Sequence, residues 1–114
     1  MDSCLFCDIA AGKIPSTEVF SDEDFLAFAD IDAKAPTHIL VIPRRHVAGL
    51  NDLEPEDADL LGRMVLTATA IAAEQDLSAL GYRFVINCGQ DGGQTVPHLH
   101  LHILGGRPLA WPPG

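Results

Sequence analysis

The stretch Pro97-His98-Leu99-His100-Leu101-His102-Ile103 carries three of the chain's five histidines at every second position. In an extended strand alternate residues point to one face. His98, His100 and His102 are therefore expected along one wall, with Leu99, Leu101 and Ile103 turned into a core. A helix advances about 100° per residue and would scatter the three rings around its circumference. The alternation thus predicts a strand with an apolar face, in a chain of 114 residues, long enough for one domain with one modest core.

The rest of the chain supplies that domain. Leu5, Phe6 and Ile9 share a helical face, which predicts a short helix over 4–11, stopped by Gly12-Lys13-Ile14-Pro15-Ser16. Thr17-Glu18-Val19-Phe20 and Phe25-Leu26-Ala27-Phe28-Ala29 flank the acidic turn Ser21-Asp22-Glu23-Asp24 and read as a hairpin. His38-Ile39-Leu40-Val41-Ile42-Pro43 is nearly all apolar and is expected in the middle of the sheet. Pro55 with Glu56, Asp57 and Asp59 suits a helix N-terminus, and Leu61, Met64, Val65, Ala68, Ile71 and Ala72 repeat at helical spacing. This predicts one long helix over 55–75. A strand over 82–87, a glycine-rich loop and the histidine strand follow, and the proline-rich tail over 107–114 forms no regular element. The expected class is α+β: an antiparallel sheet with the helices on one face.

Charge and cysteines narrow the function. The net charge of −9 argues against a general nucleic-acid or membrane-surface binder, both of which need a basic face. No apolar run approaches the roughly 20 residues of a membrane span. The start Met1-Asp2-Ser3-Cys4 shows no leader, so a cytoplasmic protein with reduced thiols is expected. Cys4-Leu5-Phe6-Cys7 is half a metal site, a redox pair or two buried thiols; Cys88 stands alone.

Three imidazoles in register can hold a catalytic zinc, act as nucleophiles, or do nothing chemical. Gly89, Gly92 and Gly93 let a backbone approach a ligand and aim amides at an anion. Thr95 adds a hydroxyl and Asn87 an amide. Together these describe a phosphate site; a P-loop is excluded because its lysine is absent.

Pro97-His98-Leu99-His100-Leu101-His102-Ile103-Leu104 resembles the signature of the histidine-triad (HIT) superfamily. The segment from Asp30 to Pro43, the Asp91-Gly92-Gly93-Gln94 loop and the ending Trp111-Pro112-Pro113-Gly114 are similar to its HINT branch. The resemblance implies a single HIT domain over 1–114: a five-stranded antiparallel sheet with one long and one short helix, and the tail 105–114 at a homodimer interface. It implies a purine nucleoside phosphoramidase that hydrolyses the P–N bond of AMP–amine conjugates through a nucleotidyl-histidine. The ligand is then a purine nucleoside monophosphate or its phosphoramidate. By resemblance His100 is the nucleophile, His102 serves the phosphate and leaving amine, and His38 supports the nucleophile. Phe6, Ile9, Phe28 and Ile31 form the base pocket and Asp30 takes the ribose. Asn87, Gly93 and Thr95 hold phosphate, and Trp111 reaches a partner's leaving-group site. Thr95 stands where many relatives have serine, and 107–110 depart from some of them, which leaves amine preference open. Several HIT proteins carry a structural zinc held by such a CxxC and two histidines; the resemblance implies Cys4, Cys7, His46 and His98 as the matching residues, with no catalytic metal required. Two alternatives remain. One is a dinucleoside polyphosphate hydrolase, against which the tail speaks. The other is a nucleotide-binding regulator, which binding without turnover would favour.

Overall fold

The computed structural model describes residues 4–114; the reading of the Met1-Asp2-Ser3 start lies outside them. The elements are α1 (Leu5–Ala10), β1 (Glu18–Ser21), β2 (Phe25–Ala29), β3 (Thr37–Pro43), α2 (Ala58–Glu74), β4 (Tyr82–Val85) and β5 (Leu101–Gly105). The five strands form one antiparallel sheet in the order β1-β2-β3-β5-β4. No described helix is long and apolar enough to cross a membrane.

The helices do not share a face as expected from the sequence. α2 places Met64, Ala68 and Ile71 against Phe25, Ala27, Ile39, Val41, Leu101 and Ile103. α1 places Phe6 on the other side, against Leu26, Phe28, Leu40 and Ile42. Successive strand residues alternate between faces, so β2 and β3 are covered on both sides. That is why their apolar runs are continuous.

α2 starts later than expected. Pro55–Asp57 forms a separate 3-10 turn, closed by the Asp57 N–H donating to the Glu54 carbonyl at 2.8 Å. The Asp57 carboxylate accepts from the Glu54 N–H at 2.9 Å and from Arg45 at 2.7 Å. These bonds satisfy donors that the helix start would otherwise leave open.

The larger revision concerns the histidine strand, which pairs over Leu101–Gly105 and not from His98. Pro97 has no N–H for a ladder. The His98 N–H turns back onto the Val96 carbonyl (2.8 Å), and the Leu99 N–H binds the Val47 carbonyl (2.7 Å). His98 and His100 thus sit on a bend ahead of the strand, while Leu99, Leu101 and Ile103 still enter the core as the alternation predicts. β4 likewise stops at Val85, and Ile86 and Asn87 lead into the glycine-rich loop.

Candidate active site

The site lies on the α1 face. His102 on β5 pairs with Leu40 on β3, and His38 is diagonal to it. His100 lies beside His102, ring centres 5.1 Å apart, and Phe6 of α1 meets the His100 ring edge-on at 5.1 Å. His98 leaves this group. Its Nδ1 faces the two cysteines, so the three triad rings do not converge on one ion.

Backbone groups set the tautomers. His100 Nδ1 is 2.6 Å from the His98 carbonyl. A carbonyl only accepts, so Nδ1 carries the proton and neutral His100 presents a bare Nε2. The Lys34 N–H donates to His38 Nδ1 at 3.0 Å, so the His38 proton sits on Nε2. From there it is donated to His102 Nδ1 at 2.9 Å, and His102 keeps its own proton on Nε2. One imidazole therefore offers a lone pair while its neighbour offers an N–H. His38 accordingly braces His102; the support of the nucleophile expected of His38 comes instead from the His98 carbonyl.

Both rings of the relay are held neutral. Burial, reinforced by the neighbouring His100 and His38, pushes His102 down to about 4. Burial also lowers His38, against the pull of Asp30, whose Oδ2 lies 3.3 Å from His38 Nε2. An unfolded histidine takes its proton near pH 6.5, so between about 6.5 and about 4 the unfolded chain binds more protons. This contribution to stability is complete above about pH 6.5, is lost as pH falls toward about 4, and changes no further below. Urea midpoints should therefore drop more between about pH 7.5 and about pH 5 in the native chain than in His102→Gln, which cannot titrate there. Equal drops would refute this assignment.

A cleft of about 280 Å³ opens beside the pair. It is lined by Phe6, Ile9, Phe28, Asp30, Ile31, Thr95, His100 and His102, which brings together eight of the residues expected to bind substrate. Ile31 is fully exposed at its rim. Asp30 Oδ1 accepts the Asp32 N–H at 2.8 Å, leaving the carboxylate held at the cleft edge. Asn87, Gly93 and Trp111 are elsewhere. The Asn87 amide donates to the Gly92 carbonyl at 2.7 Å. Gly93 lines a neighbouring cavity of about 490 Å³ that shares Thr95 with the cleft. The amides of Gly93 and Gly89 are spent inside the loop, on the Gln90 carbonyl (3.1 Å) and Gln94 Oε1 (3.1 Å). The loop's own hairpin geometry thus takes donors that the sequence reading aims at an anion. Trp111 is exposed, on a tail tied down by Arg83 to the Leu109 and Ala110 carbonyls.

Sequence reasoning missed the cleft walls Ile14, Pro15, Ser16 and Val96 and the Lys34 backbone donor. Ile14-Pro15 reads locally as a helix stop, and a backbone N–H leaves no trace in residue type.

The second constellation is Cys4, Cys7, His46 and His98, whose donor atoms all lie within 4.8 Å of one another. His98 Nδ1 is 3.4 Å from Cys4 Sγ, 3.5 Å from Cys7 Sγ and 3.2 Å from His46 Nδ1, and Cys7 Sγ is 3.3 Å from His46 Nδ1. Tetrahedral zinc, with bonds of about 2.3 Å to sulfur and about 2.05 Å to nitrogen, has edges of about 3.6 Å and about 3.4 Å. The donor set and spacing fit that ion. The ring is also oriented for it: His98 Nε2–H donates to the Pro43 carbonyl at 2.8 Å, so Nδ1 is bare. Burial, with the Cys4 sulfur adding, pushes the Cys7 thiol up to about 11. A cation must therefore displace protons here, and affinity should rise with pH.

His98, His100 and His102, on the bend ahead of β5 and on β5 itself, form the pattern of a histidine-triad protein. The match to the HIT domain over residues 11–109 agrees, and the chain belongs to this family, in its HINT branch. It is 46% identical over 112 residues to the adenylylsulfatase HINT1 of Arabidopsis thaliana, covering 96% of this chain and 76% of that one. It is 50% identical over 113 residues to a HIT-like protein of Synechococcus elongatus, covering 99% and 98%. The crystal structure of a HIT family hydrolase from Legionella pneumophila superimposes with a TM-score of 0.97 at 51% identity, covering 98% of this chain and all of that one. A histidine triad nucleotide-binding protein from Candida albicans gives 0.82 at 29% identity, covering 96% and 83%.

Proposed function

We propose that the protein hydrolyses purine nucleoside phosphoramidates, releasing the nucleoside monophosphate and an amine through a nucleotidyl-His100 intermediate. The observation that carries this reading is the tautomer pair, a bare Nε2 on His100 beside an N–H on His102. The base enters the apolar part of the cleft between Phe6, Ile9, Phe28 and Ile31, and Asp30 meets the ribose. The phosphate then lies against His100, His102 and Thr95, with the free amide hydrogen of Asn87 and the Gly93 segment beyond it.

His100 Nε2 attacks phosphorus, the P–N bond breaks, and its electron pair leaves with the amine. An amine leaves poorly unless protonated. The empty cleft holds the His38–His102 pair neutral, but an anionic phosphate seated against it favours one added proton on the pair. His38 takes it at Nδ1 as the Lys34 N–H gives way, and the His38 Nε2 proton can then follow onto His102 Nδ1. His102 then delivers its Nε2 proton to the departing nitrogen. In the second step it takes a proton from the water that releases the nucleotide. Covalent catalysis thus replaces one difficult displacement by two easier ones.

A second reading, hydrolysis of adenylyl sulfate, is favoured by the name of the Arabidopsis relative. Sulfate needs no proton to depart, so one variant separates the two. His102→Ala should slow release from an adenosine phosphoramidate by about 10²–10⁴-fold and from adenylyl sulfate by much less. Equal losses, or none, would remove His102 as the acid. Native protein that turns over only adenylyl sulfate would favour the second reading.

The same reading includes a structural zinc held by Cys4, Cys7, His46 and His98, and a homodimer. β4 is the last strand of the sheet, and Val65 and Leu66 of α2 are exposed. A second copy would cover both, bringing the exposed Trp111 near the partner's cleft.

A further inference from the structure

The Asp30–His38 loop meets the segment after β5 through Pro36 against Gly106 and through one side-chain hydrogen bond whose effect reaches the active site. Arg107 Nη2 donates to the Lys34 carbonyl at 2.9 Å, and Nη1 donates to the Pro108 carbonyl at 3.0 Å. The next bonds run inward: Lys34 N–H to His38 Nδ1, His38 Nε2–H to His102 Nδ1, and His102 Nε2–H to the cleft. The far end of the loop is fixed by the pairing of Thr37 and His38 with Gly105 and Leu104, whereas the other hydrogen bonds around Lys34 are local. Lys34 Nζ binds Asp32, and the Asp30 N–H binds the His38 carbonyl. Among the described residues, Arg107 makes the hydrogen bond that ties Lys34 to a different part of the chain.

We infer that Arg107 is a positioning residue for His102, acting through the Lys34 backbone to set which nitrogen of His38, and hence of His102, carries the proton. With Lys34 held, its N–H can only donate, and the relay runs in one direction. With Lys34 loose, Asp30 Oδ2 at 3.3 Å is left as the group favouring a proton on His38 Nε2, and a share of His38 moves its proton to Nδ1 and accepts at Nε2. His102 then donates from Nδ1 and turns a lone pair toward the cleft. A lone pair there repels a phosphate oxygen and has no proton for a leaving amine. The side chain of Arg107 lies outside the cleft lining, so it works without touching substrate.

This inference rests on the phosphoramidase reading, but its test does not depend on turnover alone. Arg107→Ala should lower kcat on an adenosine phosphoramidate by roughly three- to tenfold, the range of one hydrogen bond, with KM nearly unchanged. Arg107→Lys, which can still donate to the Lys34 carbonyl, should restore most of the loss. Long-range 1H–15N spectra of histidine-labelled protein should show His102 protonated at Nε2 in the native chain and divided between two tautomers in Arg107→Ala. Unchanged His102 spectra and kcat, or a rise confined to KM, would overturn the positioning role. If the native protein turns over no phosphoramidate, the activity reading fails, and the His102 spectra still decide the Arg107 inference by themselves.

Discussion

His100→Gly and His100→Ala should each reduce phosphoramidate turnover by about 10³-fold or more, with nucleotide affinity changed only a few-fold. The ring is buried, its Nδ1–H is committed to the His98 carbonyl, and Phe6 closes on it edge-on. These contacts hold the ring and fix its tautomer, so Nε2 is the nitrogen left for the cleft. The variants keep the apolar walls and His102, and these carry most of the binding. AMP titration by calorimetry beside single-turnover rates separates the two effects. A variant that retains most of the native rate would mean that another group attacks phosphorus.

Losing the metal should produce the second large effect, on stability. A ligand held only by the folded chain and supplied at a thousand times its Kd contributes about 4 kcal/mol. At about 4 °C or more per kcal/mol for a domain of this size, chelation should lower Tm by about 15 °C. Cys4→Ala should lower it similarly and be insensitive to chelator. Cys4 is also the N-cap of α1, its Sγ accepting the Cys7 N–H at 3.4 Å, so part of the loss belongs to the cap. Cys7→Ser, which leaves that cap in place, isolates the share of the ion. Elemental analysis of protein made without chelating steps should give one zinc per chain. Metal-free native protein with a chelator-independent Tm would remove the zinc assignment.

Much of this was legible in residue order. Period-two alternation found Leu99, Leu101 and Ile103, and the near-continuous apolar run over 38–43 marked β3 as a central strand. The same alternation over-read the histidines. It records side-chain direction but not pairing, so the bend at Val96–His98, set by a proline that cannot join the ladder, was invisible. It also treated three rings as equal, whereas each is defined by the backbone group it touches: Pro43 for His98, His98 for His100, and Lys34 through His38 for His102. Helix placement failed for a related reason. The amphipathic stripes of α1 and α2 say that each covers a surface, but a sheet buried on both sides offers two. The CxxC spacing marked Cys4 and Cys7 as half a metal site, but the expected base pocket and the pairing of the cysteines with His46 and His98 came by resemblance, because they join segments up to 94 positions apart.

A nucleotidyl-His100 intermediate leaves its record in the stereochemistry at phosphorus. A phosphoramidate made chiral at phosphorus by sulfur substitution, hydrolysed in isotopically labelled water, records the number of displacements. Two in-line steps, by His100 Nε2 and then by water, give net retention of configuration. Inversion would show a single direct attack by water and would contradict covalent catalysis by His100.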